Sequence, residues 1–313
     1  MSKKIFVTGA FGQIGTELID NLRERHGKEN IVVLDLDIPD HYDGPGKEGD
    51  VREGELIKEL WDEYDFDEVY HLASLLSATG EKKPDLAWSV NMEGLKNVLD
   101  CARERESRVF WASSIAVFGP NTPCRDTPQH TILEPVTMYG VTKVSGELLC
   151  QYYNEKYGVD VRGIRYPGLI SWKEKPGGGT TDYAVEMFYK AIKGEDYTCF
   201  VREDTRLPMM YMEDAIRGTL QLMDADEDRI DIRTSYNHSA LNFKAKELEE
   251  EIKKHYPDFD VEYQPDERQK NADSWPNSVD DSKARADWDW EPRYDLEKMT
   301  EVMLKNLEEK LEV

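Results

Sequence analysis

Apolar positions near the start of the chain follow two patterns in turn. The segment 3–8 centres on a continuous apolar run, which is typical of a buried strand. Ile14, Leu18 and Leu22 then recur once per helical turn, and the segment 31–35 is apolar again up to its final aspartate. This pattern predicts a strand, a helix and a second strand in succession.

The alternation of strands and helices continues to about residue 166. The further predicted elements are strands at 68–72, 108–112 and 159–164 and helices near 53–63, 84–105 and 139–157. Strands that alternate with helices pair in parallel through right-handed crossovers. The sequence therefore predicts an α/β fold with a Rossmann-type doubly wound parallel sheet.

Beyond residue 166 the periodicity is less regular. Helices are predicted at 181–193, 244–255 and 295–311. A stretch near 205–235 is expected to return to the main sheet. We therefore expect one large domain over residues 1–166, with that returning stretch, and a smaller C-terminal α/β lobe over 167–313 that binds substrate.

The charge of the chain restricts its partners. Asp and Glu number 64 against 40 Lys and Arg, which gives a formal charge of -24. Such a surface repels phosphate backbones and anionic lipid, so we expect neither a nucleic-acid nor a membrane partner. The acidity favours a role in solubility over adaptation to high salt.

The four cysteines, Cys101, Cys124, Cys150 and Cys199, are widely spaced and form no Cys-x-x-Cys pair. This spacing indicates neither a disulfide framework nor a metal site. The first predicted strand begins almost at Met1, which leaves no room for a signal peptide, and no apolar run has the length of a membrane span. We therefore expect a cytoplasmic protein without a bound metal.

Three glycines, Gly9, Gly12 and Gly15, follow the first strand and open the first helix. This spacing allows a tight turn and a close approach of the backbone to a pyrophosphate, and the helix N-terminus supplies N–H groups for the anion. Asp35 ends the second strand about 20 residues beyond Gly15, where a carboxylate accepts hydrogen bonds from an adenine ribose and repels a 2′-phosphate. We therefore expect residues 1–166 to bind NAD; a glycine turn without a nucleotide is the alternative.

Tyr139 and Lys143 are four residues apart on a predicted helix, so both project from one face. A phenol is a poor base at neutral pH, but a neighbouring ammonium and the positive charge of a nicotinamide favour the phenolate. Ser113 and Ser114 end a predicted strand at the sheet edge where such folds bind ligands. These residues predict a dehydrogenase in which Tyr139 is the general base and Ser114 holds the substrate oxygen.

The chain resembles the extended short-chain dehydrogenase/reductase superfamily over nearly its whole length. The motifs that carry the resemblance are Thr8-Gly9-x-x-Gly12-x-x-Gly15, His71-Leu72-Ala73, Ser113-Ser114 and the pair Tyr139 and Lys143. The resemblance implies that Lys143 also bonds the nicotinamide ribose and that Asn91 fixes the local backbone and a proton relay. The expected cofactor-binding residues are Gly9, Gly12, Gln13, Ile14, Gly15, Asp35, Asp50, Val51, Leu72, Ala73, Ser74, Asn91, Ser113, Tyr139, Lys143 and Tyr166.

Nucleotide-sugar enzymes are the largest group of this superfamily. They usually carry Arg-x-x-Asn-x-x-Gly-Pro after the sixth strand, whereas the corresponding run 165–171 lacks the asparagine. Met209, Met210 and Met212 stand where a sugar diphosphate would pass, although core packing also explains methionines. An NAD-dependent nucleotide-sugar 4-epimerase or dehydratase is therefore the second hypothesis.

The runs 76–81, 139–143, 147–153 and 179–185, together with Trp275-Pro276, are similar to the short-chain type of L-threonine 3-dehydrogenase. The resemblance implies oxidation of the C3 hydroxyl of L-threonine to 2-amino-3-ketobutyrate by NAD. It assigns substrate contacts to Ser77, Ser114, Tyr139, Thr180, Thr181, Asp182 and Trp275.

Three further interpretations stay open at this point. The residues 180–182 are equally suited to cap a helix that starts after them. A non-catalytic NAD-sensing module is a minor alternative to an enzyme, although such proteins often lose the tyrosine or the lysine. The superfamily resemblance also implies a homodimer formed through the helices near 84–105 and 139–157.

Overall fold

The computed structural model describes residues 3–174, 177 and 179–312, with the side chain of Ala78 excepted. The strands are β1 (Ile5–Thr8), β2 (Ile31–Asp35), β3 (Gly46–Glu48), β4 (Glu68–His71), β5 (Arg108–Ser114), β6 (Val161–Tyr166), β7 (Gly168–Ile170), β8 (Tyr197–Cys199), β9 (Arg206–Tyr211), β10 (Tyr236–Asn237), β11 (Leu241–Lys244) and β12 (Val261–Tyr263). The α-helices are α1 (Gln13–His26), α2 (Gly54–Tyr64), α3 (Ser77–Lys82), α4 (Pro84–Trp88), α5 (Gly94–Arg105), α6 (Met138–Tyr157), α7 (Tyr183–Ile192), α8 (Met212–Asp224), α9 (Ala245–Lys253), α10 (Arg268–Ser274), α11 (Ser282–Trp288) and α12 (Leu296–Leu311).

Seven strands form the central sheet in the order β10-β6-β5-β4-β1-β2-β3. The four pairs from β5 to β3 are parallel. From β3 to β6 the strand order is that of the Rossmann fold, so the predicted fold class is confirmed. In such a sheet ligands bind at the carboxyl ends of the strands, at the point where the strand order reverses. Here that point lies between β1 and β4.

The chain divides into two compact units. The first contains residues 1–114, 138–165 and 219–236, and the second contains 115–137, 166–218 and 237–313. The first unit holds the central sheet except for Tyr166 and Asn237 at the ends of two strands. The assignment of NAD and substrate binding to separate parts of the chain stays a prediction.

The second unit has two small sheets of its own. In one, β9 pairs with β11 in antiparallel and with β7 in parallel orientation, and in the other β8 and β12 are parallel. Met209, Met210 and Met212 are fully buried. This burial supports core packing as the role of these methionines.

The helix predicted near 84–105 is divided in the structure. Between α4 and α5 the chain makes one π-helical turn over Ser89–Glu93, which contains the buried Asn91. A π turn inserts an extra residue into the helix and so changes the direction of the side chains that follow, which is common at functional sites. Apolar periodicity does not reveal such a turn.

The core of the first unit surrounds the sheet strands. All four residues of β1 are buried, and Phe6 stacks on Phe66 with ring centroids 4.7 Å apart while the edge of Trp61 packs against both rings.

In the part of the chain that the structure describes, no helix combines the length and apolar character needed to cross a membrane.

Candidate active site

The glycine loop between β1 and α1 has little room for side chains at two of its three glycines. Gly9 has a φ of +66°, and a Cβ there would lie 2.5 Å from the backbone nitrogen of Ala73. A Cβ at Gly15 would lie 2.4 Å from the carbonyl oxygen of Ala10. At Gly12, in contrast, the nearest atom to a Cβ is 3.5 Å away, an ordinary contact. The fold itself therefore requires glycine at the first and third positions only.

The N-terminus of α1 is open to a ligand. Its first intrahelical bond runs from the Thr16 N–H to the Gly12 carbonyl, over 3.0 Å, and no side chain among the described residues caps the helix. The N–H groups of Gln13, Ile14 and Gly15 therefore lie in the first turn, where backbone donors and the helix dipole favour an anion. This arrangement suits a pyrophosphate.

A cavity of about 460 Å³ lies beside the loop, within the usual range of a ligand pocket. The predicted cofactor residues that line it are Gly9, Gly12, Asp35, Asp50, Val51, Leu72, Ala73 and Ser74. The lining residues that sequence reasoning missed are Phe11, Leu34, Leu36, Gly49, Arg52, Leu75, Leu86 and Val90. The usable signal in the sequence was an apolar residue, Leu36, directly after the predicted ribose-binding Asp35. In the structure Leu36 is 73% exposed.

Asp35 and Asp50 present carboxylates in this cavity. Asp35 accepts hydrogen bonds from the N–H groups of Phe11 (2.9 Å) and Leu36 (2.7 Å), which orient the carboxylate and leave acceptor capacity for ribose hydroxyls. Asp50 pairs with the guanidinium of Arg52, whose hydrogen bonds hold the pKa of that carboxyl below its usual range. Because Arg52 is thus engaged and Asp35 repels a 2′-phosphate, the cavity favours NAD over NADP.

The open space at Gly12 gives a test of cofactor binding. We expect Gly12→Ala to fold with a thermal midpoint close to that of the unaltered protein but to weaken NAD binding at least tenfold, because its methyl group would occupy the path of the pyrophosphate. Gly15→Ala is expected to lower the thermal midpoint, since its Cβ would overlap the Ala10 carbonyl. Calorimetric titration with NAD and thermal melts would separate the two effects, and equal NAD affinity in Gly12→Ala would contradict this role.

Asn91 connects the end of β4 to α6. Its side-chain oxygen accepts hydrogen bonds from the Leu75 N–H (2.8 Å) and the Ser74 hydroxyl (3.1 Å), and its amide donates to the Thr142 hydroxyl (2.9 Å). The Thr142 hydroxyl in turn donates to the Tyr139 carbonyl. Asn91 thus holds the backbone around Tyr139.

Tyr139 lies in the first turn of α6, and its hydroxyl is hydrogen-bonded to Ser114 at the end of β5. Burial raises the pKa of Tyr139 to about 12, whereas the hydrogen bond with Ser114 lowers it. The two residues predicted to handle the substrate oxygen are therefore in direct contact.

Lys143 lies one helical turn further along α6. Its ammonium donates to the Ala112 carbonyl over 2.7 Å and lies 5.3 Å from the centroid of the Tyr139 ring. Burial lowers the pKa of Lys143 to about 7, an effect that Cys150 and Glu147 oppose. The pKa of a lysine in this buried environment depends strongly on nearby charges.

Ser113, which we expected to bind the cofactor, has its hydroxyl engaged elsewhere. It donates to Glu147 over 2.6 Å, and the same carboxylate receives two hydrogen bonds from the Arg165 guanidinium. All three residues are buried. Sequence reasoning missed Glu147 because nothing in a helical pattern identifies the partner of a polar residue.

The predicted substrate residue Ser77 starts α3, which packs beside α6, the catalytic helix. Glu81, at the other end of α3, accepts a hydrogen bond from the Met138 N–H over 2.6 Å. A Cβ at Gly80 would lie 3.9 Å from the Cβ of Tyr139. The segment that carries Ser77 is therefore fixed against the start of α6.

In the second unit, Asp182 does not cap α7 as one interpretation expected. It stands before the first helical residue, Tyr183, but its side chain makes no capping hydrogen bond. Instead the carboxylate accepts the Gly179 N–H over 2.6 Å, which closes a turn ahead of the helix. The capping interpretation is therefore wrong for Asp182, and the ligand interpretation stays a prediction.

Of the other predicted residues of this unit, Thr180 and Trp275 lie next to α10. The Asn271 side chain is 3.5 Å from the Thr180 hydroxyl, and Trp275 directly follows the helix that carries Asn271. The methyl group of Thr181 faces Gly168. Tyr166 ends β6 and is buried.

The comparisons with known proteins agree with this architecture. The model of the NAD dependent epimerase/dehydratase family matches residues 5–237. An uncharacterized epimerase/dehydratase of Staphylococcus haemolyticus is 49% identical over 313 residues, or 98% of each chain.

Two solved structures extend the similarity. A monomeric L-threonine 3-dehydrogenase from a metagenome, in its apo form, is 52% identical with a TM-score of 0.95 and covers 98% of this chain and 99% of its own. The holo form of the GalE-like L-threonine dehydrogenase from Cupriavidus necator is 48% identical with a TM-score of 0.95, covering 97% of this chain and 99% of its own. The resemblance that the motifs indicated is confirmed, and this chain belongs to the NAD dependent epimerase/dehydratase family.

Proposed function

We propose that this protein is an NAD-dependent L-threonine 3-dehydrogenase, which oxidises the C3 hydroxyl of L-threonine to 2-amino-3-ketobutyrate. The observation that carries the proposal is the Tyr139–Ser114 hydrogen bond with Lys143 beside it, in a chain about half identical to proteins described as L-threonine dehydrogenases. NAD is also the cofactor of the family to which the chain belongs, as predicted.

The cofactor fits the residues present. The N-terminus of α1 and the space at Gly12 would hold the pyrophosphate, and Asp35 would accept hydrogen bonds from the adenine ribose hydroxyls. NAD, when bound, accepts the hydride that leaves C3 of the substrate.

The proton of the C3 hydroxyl goes to Tyr139. In its phenolate form Tyr139 accepts this proton, and Ser114 stabilises that form by hydrogen bonding. Lys143 contributes positive charge next to the phenol. The substrate set in the second unit, Thr180, Thr181, Asp182 and Trp275, stays a prediction. Hydroxyls and backbone N–H groups can meet the carboxylate of an amino acid, and an aspartate or a carbonyl can meet its ammonium.

The proposal is tested by measuring NADH formation when the protein is mixed with NAD and L-threonine. We expect turnover with L-threonine and none with D-threonine or a UDP-sugar. Interconversion of UDP-sugars without net NADH formation, together with NAD that remains bound through purification, would replace the proposal by the epimerase hypothesis.

We further propose that two copies associate through α4 and α6. Val141, Leu148 and Tyr152 lie on one face of α6 and are 37%, 58% and 50% exposed, and Trp88 on α4 is 46% exposed. Apolar side chains at this spacing suit a helix that packs against another helix. One similar protein is described as monomeric, so the association state needs its own measurement.

A charge at the centre of this face is expected to prevent the association. Light scattering should give twice the chain mass for the unaltered protein and a single chain mass for Leu148→Lys, because a buried unpaired ammonium is unfavourable. Ile132→Lys, at an exposed isoleucine of the second unit, is the matched control and should leave the mass unchanged. A chain mass for the unaltered protein at all concentrations would exclude the dimer.

We also propose that the protein works in a reducing compartment, the cytoplasm. Cys101, Cys124, Cys150 and Cys199 are all free thiols, and Cys150 and Cys199 are buried. Free buried thiols are typical of proteins that fold under reducing conditions.

A further inference from the structure

We propose that Glu147 is a positioning residue for the reaction: held in place by Arg165, it fixes the end of β5 against the catalytic helix and supports the positive charge of Lys143. This inference rests on the proposed function, because the reaction in question is the proposed one. Glu147 is not among the residues expected to contact cofactor or substrate, and it acts through Ser113 and Lys143.

The last four residues of β5 each contact α6. The pairs are Trp111 with Gly146, Ala112 with Lys143, Ser113 with Glu147 and Ser114 with Tyr139. These contacts fix the helix in one register on the strand, so a shift at any pair is transmitted to the others. Misplacement of a reacting group by about 1 Å can reduce a rate about a hundredfold.

The Ser113–Glu147 contact is supported by a second strand, because Glu147 also binds Arg165 on β6. Arg165 on β6 donates from Nε to Oε1 over 2.9 Å and from Nη2 to Oε2 over 2.7 Å, a bidentate pair. Glu147 is 0% exposed and Arg165 is 3% exposed. The bidentate pair, whose two charges compensate each other, therefore holds the Glu147 side chain in one geometry inside the first unit.

The carboxylate of Glu147 also acts on Lys143. The titratable groups that face the ammonium are Glu147, Cys150 and Tyr139 on α6 and His71 on β4. Burial has the largest effect on the pKa of Lys143 and lowers it, Cys150 raises it, and the negative charge of Glu147 raises it further. Without this charge, Lys143 would lose its proton at a lower pH and would support the phenolate less well.

The test uses three variants. Glu147→Gln keeps the size of the side chain but removes its charge, and Ser113→Ala removes only the hydroxyl that connects Glu147 to the strand. Glu155→Gln, at an exposed glutamate of the same helix, is the matched control. We expect Glu147→Gln and Ser113→Ala to lower kcat with L-threonine by about 10- to 100-fold with little change in KM, and Glu155→Gln to leave kcat unchanged.

A second readout does not depend on activity. In protein labelled with 13C at lysine Cε, the titration midpoint of Lys143, identified by its absence in Lys143→Met, should fall in Glu147→Gln and stay unchanged in Glu155→Gln. If Glu147→Gln does not fold, the double variant Glu147→Met/Arg165→Met replaces the ion pair by apolar groups of similar volume. An unchanged Lys143 midpoint, or a folded variant with unaltered kcat and pH profile, would overturn the proposal. Absence of L-threonine turnover in the unaltered protein, with the midpoint shifted as expected, would overturn the proposed function instead.

Discussion

Replacing Tyr139 by phenylalanine is expected to lower kcat for L-threonine oxidation by about a thousandfold, within the usual range for loss of a general base. Only the phenolate accepts the substrate proton, so kcat of the unaltered protein should rise with pH as Tyr139 ionises. Tyr139→Phe should lack this rise. Its kcat–pH profile and its rate at saturating L-threonine and NAD are the measurements.

The loss should be confined to the chemical step. The Tyr139 hydroxyl bonds Ser114, and loss of one such hydrogen bond changes the free energy of unfolding by only about 1 kcal/mol. We therefore expect Tyr139→Phe to keep its thermal midpoint within a few degrees and its NAD affinity within about twofold. Tyr152→Phe, at a half-exposed tyrosine of the same helix, is the control and should keep full activity. A kcat of Tyr139→Phe within tenfold of the unaltered value would exclude Tyr139 as the base.

Local sequence patterns predicted most of the fold and part of the site. The strand at 31–35, the glycine loop and Asp35 follow from residues that are neighbours in sequence, since each acts within one strand, turn or helix start. The order of strands follows from the alternation of strands and helices. These features were therefore accessible from the sequence.

Contacts between distant residues were not accessible in the same way. Arg165 meets Glu147 because β6 passes beside α6, and no periodicity specifies which buried polar residues pair. Asn91 reaches Leu75 and Thr142 from a π turn that apolar spacing does not reveal. Ser113 looked like a ligand residue from its place at a strand end, but its hydroxyl is directed to Glu147. Side-chain direction inside a packed core depends on tertiary structure.

Acid is expected to unfold this protein through two buried histidines. Burial lowers the pKa of His71 to about 3 and that of His238 to about 3, with the charges of Lys143 near the first and of Arg217 and Arg285 near the second adding to the effect. An unfolded histidine has a pKa near 6.5. The contribution of these two histidines to the free energy of unfolding is therefore fully present above pH 6.5. It is lost progressively as the pH falls toward 3, because the unfolded state then binds more protons than the folded state.

His238 is the better position for a test. It is 0% exposed, its ring lies 4.1 Å from the Trp290 ring, and neither ring nitrogen has a hydrogen-bond partner among the described residues. An apolar side chain at this position therefore leaves no partner unsatisfied. His238→Leu removes the titrating imidazole and changes the packing only modestly.

The measurement is urea unfolding at a series of pH values between 5 and 6.5. We expect the free energy of unfolding of the unaltered protein to fall by up to about 2.7 kcal/mol per pH unit, about 1.4 for each histidine. In His238→Leu this slope should be about half as large, so that the variant becomes more stable than the unaltered protein at pH 5 even if it is less stable at pH 7.5. His130→Leu, at an exposed histidine of the same unit, should keep the full slope. Equal slopes in His238→Leu and the unaltered protein would show that His238 takes up its proton without unfolding the chain.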